Sequence, residues 1–330
     1  MRILVTGAAG FVGSHFVRTL LAGGYPALSG CAKVTVLDKL TYAGNLANLD
    51  PVRDHPAFEF VRGDITDAAL VDELMARHDA VVHFAAESHV DRSIQGAAEF
   101  VVTNVVGTQT LLDAALRHGV GPFVHVSTDE VYGSIEEGSW PETDPLRPNS
   151  PYSASKASSD LIALAYHRTH GLDVRVTRCS NNYGPYQFPE KVIPLFITNL
   201  LDGLKVPLYG DGLNVRDWLH VDDHCYGIAL VFEKGRSGEV YNIGGGTELT
   251  NKELTERLLK ACGASWDMVE YVEDRKGHDR RYSVDWTKIR EELGYTPRHD
   301  FEVGLAETVE WYQKNRAWWE PLKARAALKK

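Results

Sequence analysis

Residues 2–13 read RILVTGAAGFVG. The run Ile3-Leu4-Val5-Thr6 is short, apolar and partly β-branched, which favours a strand buried on both faces. Gly7, Gly10 and Gly13 follow as GxxGxxG, and apolar residues from 11 to 21 recur at helical spacing until Gly23 and Gly24. The stretch therefore predicts strand, tight turn and helix. Glycines in that turn let backbone N–H groups approach an anion, and the positive end of the helix dipole favours its charge.

Working outward, strands are expected at residues 33–37, 58–61, 80–84, 123–127 and 174–177, with helices between them, including 97–117 and 152–170. Apolar strands alternating with helices predict a parallel sheet covered on both faces. Pro141, Pro145 and Pro148 make 139–150 a loop within this unit. From Gly184 onward the elements shorten and become rich in Gly and Pro. The expected division is 1–183 for a first unit, with chain returning to it over roughly 211–245, and 184–330 mainly for a smaller second lobe.

A chain of 330 residues, 44% hydrophobic, suits that division. Its 35 Lys and Arg against 45 Asp and Glu leave a net charge of −10, which argues against a nucleic-acid partner. An anionic small molecule needs only a local basic pocket. The four cysteines are far apart with no CxxC spacing, so reduced thiols and no zinc site are expected. His220 and His224 are spaced i, i+4 but lack a third ligand, and no metal is assigned to them. No stretch reaches the roughly 20 apolar residues of a membrane span, and residues 1–13 lack a cleavage pattern, so the expected location is cytoplasmic.

Asp38 closes the second strand, where a carboxylate would accept hydrogen bonds from a ribose and repel a 2′-phosphate. That favours NAD over NADP. Asp64 and Ile65 after the third strand are placed for adenine, and the small pair Ala85-Ala86 after the fourth leaves room for the cofactor.

Residues 150–156 read SPYSASK. Ser150 is a natural N-cap and Pro151 a natural first helical residue, so Tyr152 and Lys156 share one helical face. A nearby ammonium supplies roughly the 4 kcal/mol needed to half-ionise a phenol near neutrality, making Tyr152 a base for a substrate hydroxyl. Thr128-Asp129-Glu130 follows the fifth strand at its carboxyl end, where open α/β sheets bind ligands. Two neighbouring carboxyls can hold opposite protonation states and serve as an acid and a base.

GxxGxxG, Asp38 and YxxxK in this order resemble the extended short-chain dehydrogenase/reductase family across almost the whole chain. That resemblance implies a Rossmann-type doubly wound α/β fold with a smaller C-terminal α/β substrate lobe. Thr128-Asp129-Glu130 followed by Val131-Tyr132-Gly133 resembles the family's nucleotide-sugar 4,6-dehydratases. The implied chemistry is C4 oxidation by NAD, loss of water across C5 and C6, and hydride return to C6. Asp129 is then the acid, Glu130 the base, Thr128 a hydrogen-bond donor to the C4 oxygen, and Lys156 a grip on the nicotinamide ribose.

The resemblance also adds Phe11, Val12, Lys39, Thr41, Thr103 and Asn182 to the cofactor set, and Ser88 to both cofactor and sugar. For the substrate, implied to be dTDP-glucose, it points to Asn181, Glu190, Lys191, Val192, Pro207 and Tyr209. Arg216, Arg275, His278 and Arg281 are the basic groups for its diphosphate, and Asn251 supports the nucleotide end. Where the family carries Arg-Pro-Gly-His-Asp, this chain reads Arg275-Lys276-Gly277-His278-Asp279. Helices 97–117 and 152–170 are implied to pair across a homodimer. A dehydratase, epimerase or decarboxylase on a UDP-, CDP- or GDP-sugar, and a non-catalytic NAD-sensing protein, remain alternatives. Trp311, Trp318 and Trp319 are expected to pack in a core.

Overall fold

The computed structural model describes residues 1–28 and 30–327. In chain order the first half runs β1 (Arg2–Thr6), α1 (Phe11–Leu21), β2 (Lys33–Asp38), β3 (Phe58–Arg62), α2 (Ala68–Met75), β4 (Ala80–His83), α3 (Val90–Gln95), α4 (Ala98–Phe100), α5 (Thr108–His118), β5 (Phe123–Thr128), α6 (Pro151–His170) and β6 (Val174–Cys179). The second half runs β7 (Asn181–Tyr183), α7 (Val192–Leu201), β8 (Val206–Tyr209), β9 (Val215–His220), α8 (Val221–Lys234), β10 (Val240–Ile243), β11 (Glu248–Thr250), α9 (Asn251–Ala261), β12 (Val269–Val272), α10 (Thr287–Leu293), α11 (Phe301–Lys314) and α12 (Arg316–Ala327).

Seven strands form one parallel sheet in the order β10-β6-β5-β4-β1-β2-β3. Strand order reverses between β1 and β4, and a crevice opens there at the carboxyl ends of the strands. One face packs on α1 and α8 through Phe16, Val17, Leu20, Cys225 and Ile228. The other packs on α2, α5 and α6 through Leu74, Leu111, Leu112 and Ala163. Burial on both faces explains why the central strands read as unbroken apolar runs.

Residues 211–245 divide between the two regions. β10 pairs with β6 at the edge of the large sheet, whereas β9 pairs with β7 and β11 in a three-stranded sheet. That small sheet begins at Asn181, inside the stretch assigned to the first unit. A two-stranded pair of β8 and β12, with α7, α9 and α11, completes the second region around a core of Phe196, Leu258, Tyr312 and Trp319. Trp311 and Trp318 pack against it, and Trp318 Nε1 donates to Asn48 Oδ1 at 2.9 Å, tying the C-terminal helix to the first unit.

The helix expected over 97–117 is not a single α-helix. Residues 101–107 (VVTNVVG) are π-helical between α4 and α5. β-Branched residues crowd this turn, and the Asn104 side chain is drawn inward to the 87–88 loop, accepting from Glu87 N at 2.8 Å and donating to Glu87 O at 3.0 Å.

Candidate active site

A single cavity runs along the crevice from the β1–α1 turn to the start of α7. Gly7 sits at φ +72°, and a Cβ there would lie 2.5 Å from the Ala85 backbone, so this turn tolerates only glycine. Gly10 caps α1 without a side chain, and the first turn of α1 has no acidic residue. Its free N–H groups and dipole therefore remain available to an anion such as a pyrophosphate. Phe11, Val12 and Gly13 line the same end.

Asp38 accepts from Ala9 N at 2.9 Å and Leu40 N at 2.7 Å, which fixes its carboxylate with lone pairs to spare. Burial raises its pKa against those bonds and the Lys39 charge. Asp64 pairs with Lys39 at 3.2 Å, and Lys39 Nζ reaches Thr103 Oγ1 at 3.4 Å in the π-helical turn. Thr41, Ile65, Ala85, Ala86 and Ser88 complete this side. The residues present fit a dinucleotide: an uncapped glycine turn, a carboxylate at the end of β2 that lines the cavity, and a small-residue floor.

At the other end, α6 delivers Tyr152 and Lys156. Ser150 is the N-cap and Pro151 the first helical residue, as the sequence predicts, and Ser153 completes a capping box with Ser150. The expected depression of the Tyr152 phenol by Lys156 is not observed. Burial first, and then the electrostatic influence of Glu130, pushes Tyr152 well above its ordinary value. The Lys156 ammonium instead donates to Val126 O at 2.8 Å, so its charge is not directed solely at the phenol. Burial lowers Lys156 to about 8 while Asp160, one turn along α6, opposes the fall. Asp160 is itself buried against Arg178 at 2.9 Å and His125 at 3.2 Å. Against the pull of burial, those partners hold its carboxyl near 2.

Thr128, Asp129 and Glu130 face Tyr152 from the end of β5. Burial and then Glu130 push Asp129 well above the carboxylate range, and its Oδ2 is buried without a hydrogen-bond partner. Oδ1 accepts from Thr128 Oγ1 at 3.2 Å. Burial also raises Glu130, but Lys191, Arg275 and Arg216 oppose it. The pair is thus asymmetric: Asp129 is pushed well above the carboxylate range, opposed by Arg216 and the Thr128 hydrogen bond, whereas the rise at Glu130 is opposed by Lys191, Arg275 and Arg216 together.

Asn181, Asn182, Glu190 and Lys191 line the cavity where β7 and the start of α7 close over it. Lys191 Nζ donates to Ser88 O at 2.9 Å, and Glu190 pairs with Arg92 at 2.8 Å. Val192, Pro207, Tyr209, Arg216, Asn251, Arg275 and His278 do not line this cavity. Val192 packs on the second core, and Asn251 opens α9 with its N–H on Asn214 O. Arg216 is buried, donates to Asp279 O at 3.0 Å and stacks on Tyr282 at 4.2 Å. Arg275 pairs with Asp91 at 3.5 Å and stands 6.0 Å from the Tyr209 ring.

Two expected cations are corrected. Burial, with Arg275, lowers His278 to about 4, so the imidazole is neutral at pH 7 and offers hydrogen bonds but no charge. Arg281 forms a two-pronged pair with Glu248 at 2.9 and 2.8 Å, so its charge is spent there. His220 and His224 diverge: His220 Nδ1 caps α8, and His224 Nδ1 lies 2.9 Å from Asn182 Oδ1. Sequence reasoning missed Tyr42, Glu87, Cys179, Ser180, Gln187 and His224 as cavity residues. For Glu87 and Cys179 a signal existed, since both lie where parallel strands end.

A parallel sheet with a dinucleotide cradle at its first turn and a Tyr–Lys pair at its carboxyl edge defines an extended short-chain dehydrogenase/reductase. The model of the GDP-mannose 4,6 dehydratase family matches residues 4–308, and the chain belongs to that family. It is 71% identical over 327 residues to a dTDP-glucose 4,6-dehydratase of Streptomyces antibioticus, covering 99% of this chain and 97% of that one. A solved dTDP-glucose 4,6-dehydratase from Streptomyces venezuelae, with NAD bound, superposes with TM-score 0.96 at 67% identity, covering 98% of this chain and all of that one. A UDP-glucose 4-epimerase from Thermotoga maritima shares the fold at TM-score 0.87 and 35% identity, over 96% of this chain and 100% of its own.

Proposed function

We propose that the chain is a dTDP-glucose 4,6-dehydratase, an NAD-dependent hydro-lyase that converts dTDP-glucose to dTDP-4-keto-6-deoxy-glucose. The observation that carries this reading is the asymmetric Asp129–Glu130 pair facing Tyr152. Moving hydride at C4 needs only a tyrosine and a lysine, whereas expelling water across C5 and C6 needs a second acid and a second base.

The glycine turn, Asp38 and Asp64 hold the dinucleotide, with Lys156 on its redox end. When bound, NAD supplies a cationic ring near the phenol and a reversible hydride acceptor, taking hydride from C4 and giving it back at C6. Tyr152 accepts the C4 hydroxyl proton while Thr128 donates a hydrogen bond to the same oxygen. The C4 ketone acidifies the C5 proton, which Glu130 takes. Asp129 protonates the departing C6 hydroxyl, so one water leaves; Glu130 then returns its proton to C5 as hydride comes back to C6, and the proton held by Tyr152 makes good the one Asp129 gave up. Lys191, Arg216 and Arg275 offset the negative charge of the sugar nucleotide, with His278 as a neutral hydrogen-bonding group.

Among nucleotides, dTDP is favoured over GDP because four relatives at 66–71% identity are dTDP-glucose 4,6-dehydratases. Incubation with dTDP-glucose is expected to give a product lighter by one water and carrying a C6 methyl in its NMR spectrum. Turnover of GDP-mannose with dTDP-glucose left intact would overturn the assignment.

We assign residues 1–183, with α8 and β10, to the dinucleotide and the remainder mainly to the sugar nucleotide. We also infer a homodimer: Val101, Val102 and Val106 before α5 and Leu161 on α6 are 45–54% exposed and lie on the two helices expected to pair. A single-chain mass by light scattering would refute it. We infer a cytoplasmic location as well, and recovery of the activity with the cell envelope would count against it.

A further inference from the structure

His224 is a buried titratable group at the site that the proposed chemistry leaves unused. It lies on α8, is 1% exposed and lines the cavity. Its Nδ1 faces Asn182 Oδ1 at 2.9 Å. The orientation of that amide is determined by its other contacts, because Asn182 Nδ2 donates to Ser180 O at 2.9 Å and to Cys179 Sγ at 3.4 Å. A flipped amide would set oxygen against carbonyl oxygen. Oδ1 can only accept, so the proton of the imidazole sits on Nδ1. Burial keeps the ring neutral by driving its pKa down to about 3. Nε2 therefore carries a lone pair, and it is buried without any hydrogen-bond partner.

A buried acceptor without a donor is costly, and this one borders a ligand cavity. The inference rests on the NAD reading above. A lone pair repels a pyrophosphate oxygen, which excludes the centre of the dinucleotide. The adenine amine belongs at the Asp64 end. His224 instead sits against Asn182, whose amide reaches Cys179 at the end of β6, and it shares the cavity with Tyr152 and Lys156. The N–H donor that NAD brings to its redox end is the carboxamide of the nicotinamide.

We propose that His224 Nε2 accepts a hydrogen bond from the nicotinamide carboxamide N–H, with Asn182 fixing the imidazole tautomer that makes this possible. The histidine then selects for the amide and sets which way the carboxamide points.

The test uses the full chain and two dinucleotides, NAD and its 3-acetylpyridine analogue, in which a methyl group replaces the amide nitrogen. Both are offered in excess, and the retained ratio is read by mass spectrometry. Wild type is expected to prefer NAD by about tenfold, the ratio that one net hydrogen bond supports. His224→Asn keeps an amide nitrogen near the Nδ1 position and removes the Nε2 acceptor, so its preference should fall towards one. His224→Gln puts an amide oxygen near Nε2 and should restore most of the preference. Undiminished preference in His224→Asn would overturn the proposal. So would equal retention of the two dinucleotides by wild type, which needs no variant to fold. Failure of wild type to retain either one would instead overturn the NAD reading.

Discussion

At the scale of single residues, the site works because neighbouring groups of one type are made unlike. Asp129 and Glu130 are adjacent carboxyls, yet burial and its neighbour push Asp129 well above the carboxylate range, while Lys191, Arg275 and Arg216 pull against the rise at Glu130. The sequence displayed both carboxyls but could not distribute protons between them, since the cations come from residues 61 to 145 positions away. Glu130→Gln removes the base and keeps the shape. Its turnover should fall by about 10²–10⁴-fold, with C4 oxidation retained and no solvent deuterium entering at C5. Deuterium uptake at the wild-type rate would remove Glu130 from that role.

At the scale of elements, local signals were legible where local chemistry decides the structure. Ser150 and Pro151 start α6 where capping rules put them, and so Tyr152 and Lys156 reach the crevice on one face. The π-helical turn at 101–107 was not legible, because its cause is a contact across the fold. Asn104 turns inward to hold both backbone groups of Glu87 and donates to Ser155 Oγ at 2.8 Å. Asn104→Ala would strand a buried N–H and a buried carbonyl, at a cost of about 1–3 kcal/mol. Urea unfolding should show a lower midpoint with an unchanged slope, together with weaker NAD retention through the loosened 87–88 loop. A wild-type midpoint would show that the turn does not depend on this amide.

At the scale of the whole molecule, the second region closes over the first through Glu190–Arg92, Lys191–Ser88 and Arg275–Asp91. Stability across pH is set by buried histidines distributed over both regions. Burial lowers His125, His220 and His278 to about 4 and His224 to about 3, from an ordinary 6.5. Below pH 6.5 the unfolded chain binds protons that the folded chain refuses, so folding free energy is full above about 6.5 and is lost as pH falls towards 4. His78 and His83 are lowered as well, making six, whereas His299, raised by its Asp223 partner, and Asp129, raised by burial, act in the opposite sense. With the lowered histidines in the majority, melting temperature should decline from pH 7 to 5, before the exposed carboxylates titrate. A flat profile over that window would contradict the burial of these rings as neutral groups.

The sequence by itself determined the strand–turn–helix beginning, the parallel alternation, the carboxylate after β2 and the capped Tyr–Lys face, because each is written in residues within one or two helical turns of each other. Tertiary structure alone decided which residues are charged and which reach the cavity. His278 lost its charge and Arg281 spent its own on Glu248, while β10 joined the large sheet beside β6. His224, a spacing partner of His220 in the sequence, became a neutral acceptor at the cofactor cavity. Burial and long-range pairing set those outcomes, and both depend on groups that meet only when the chain has folded.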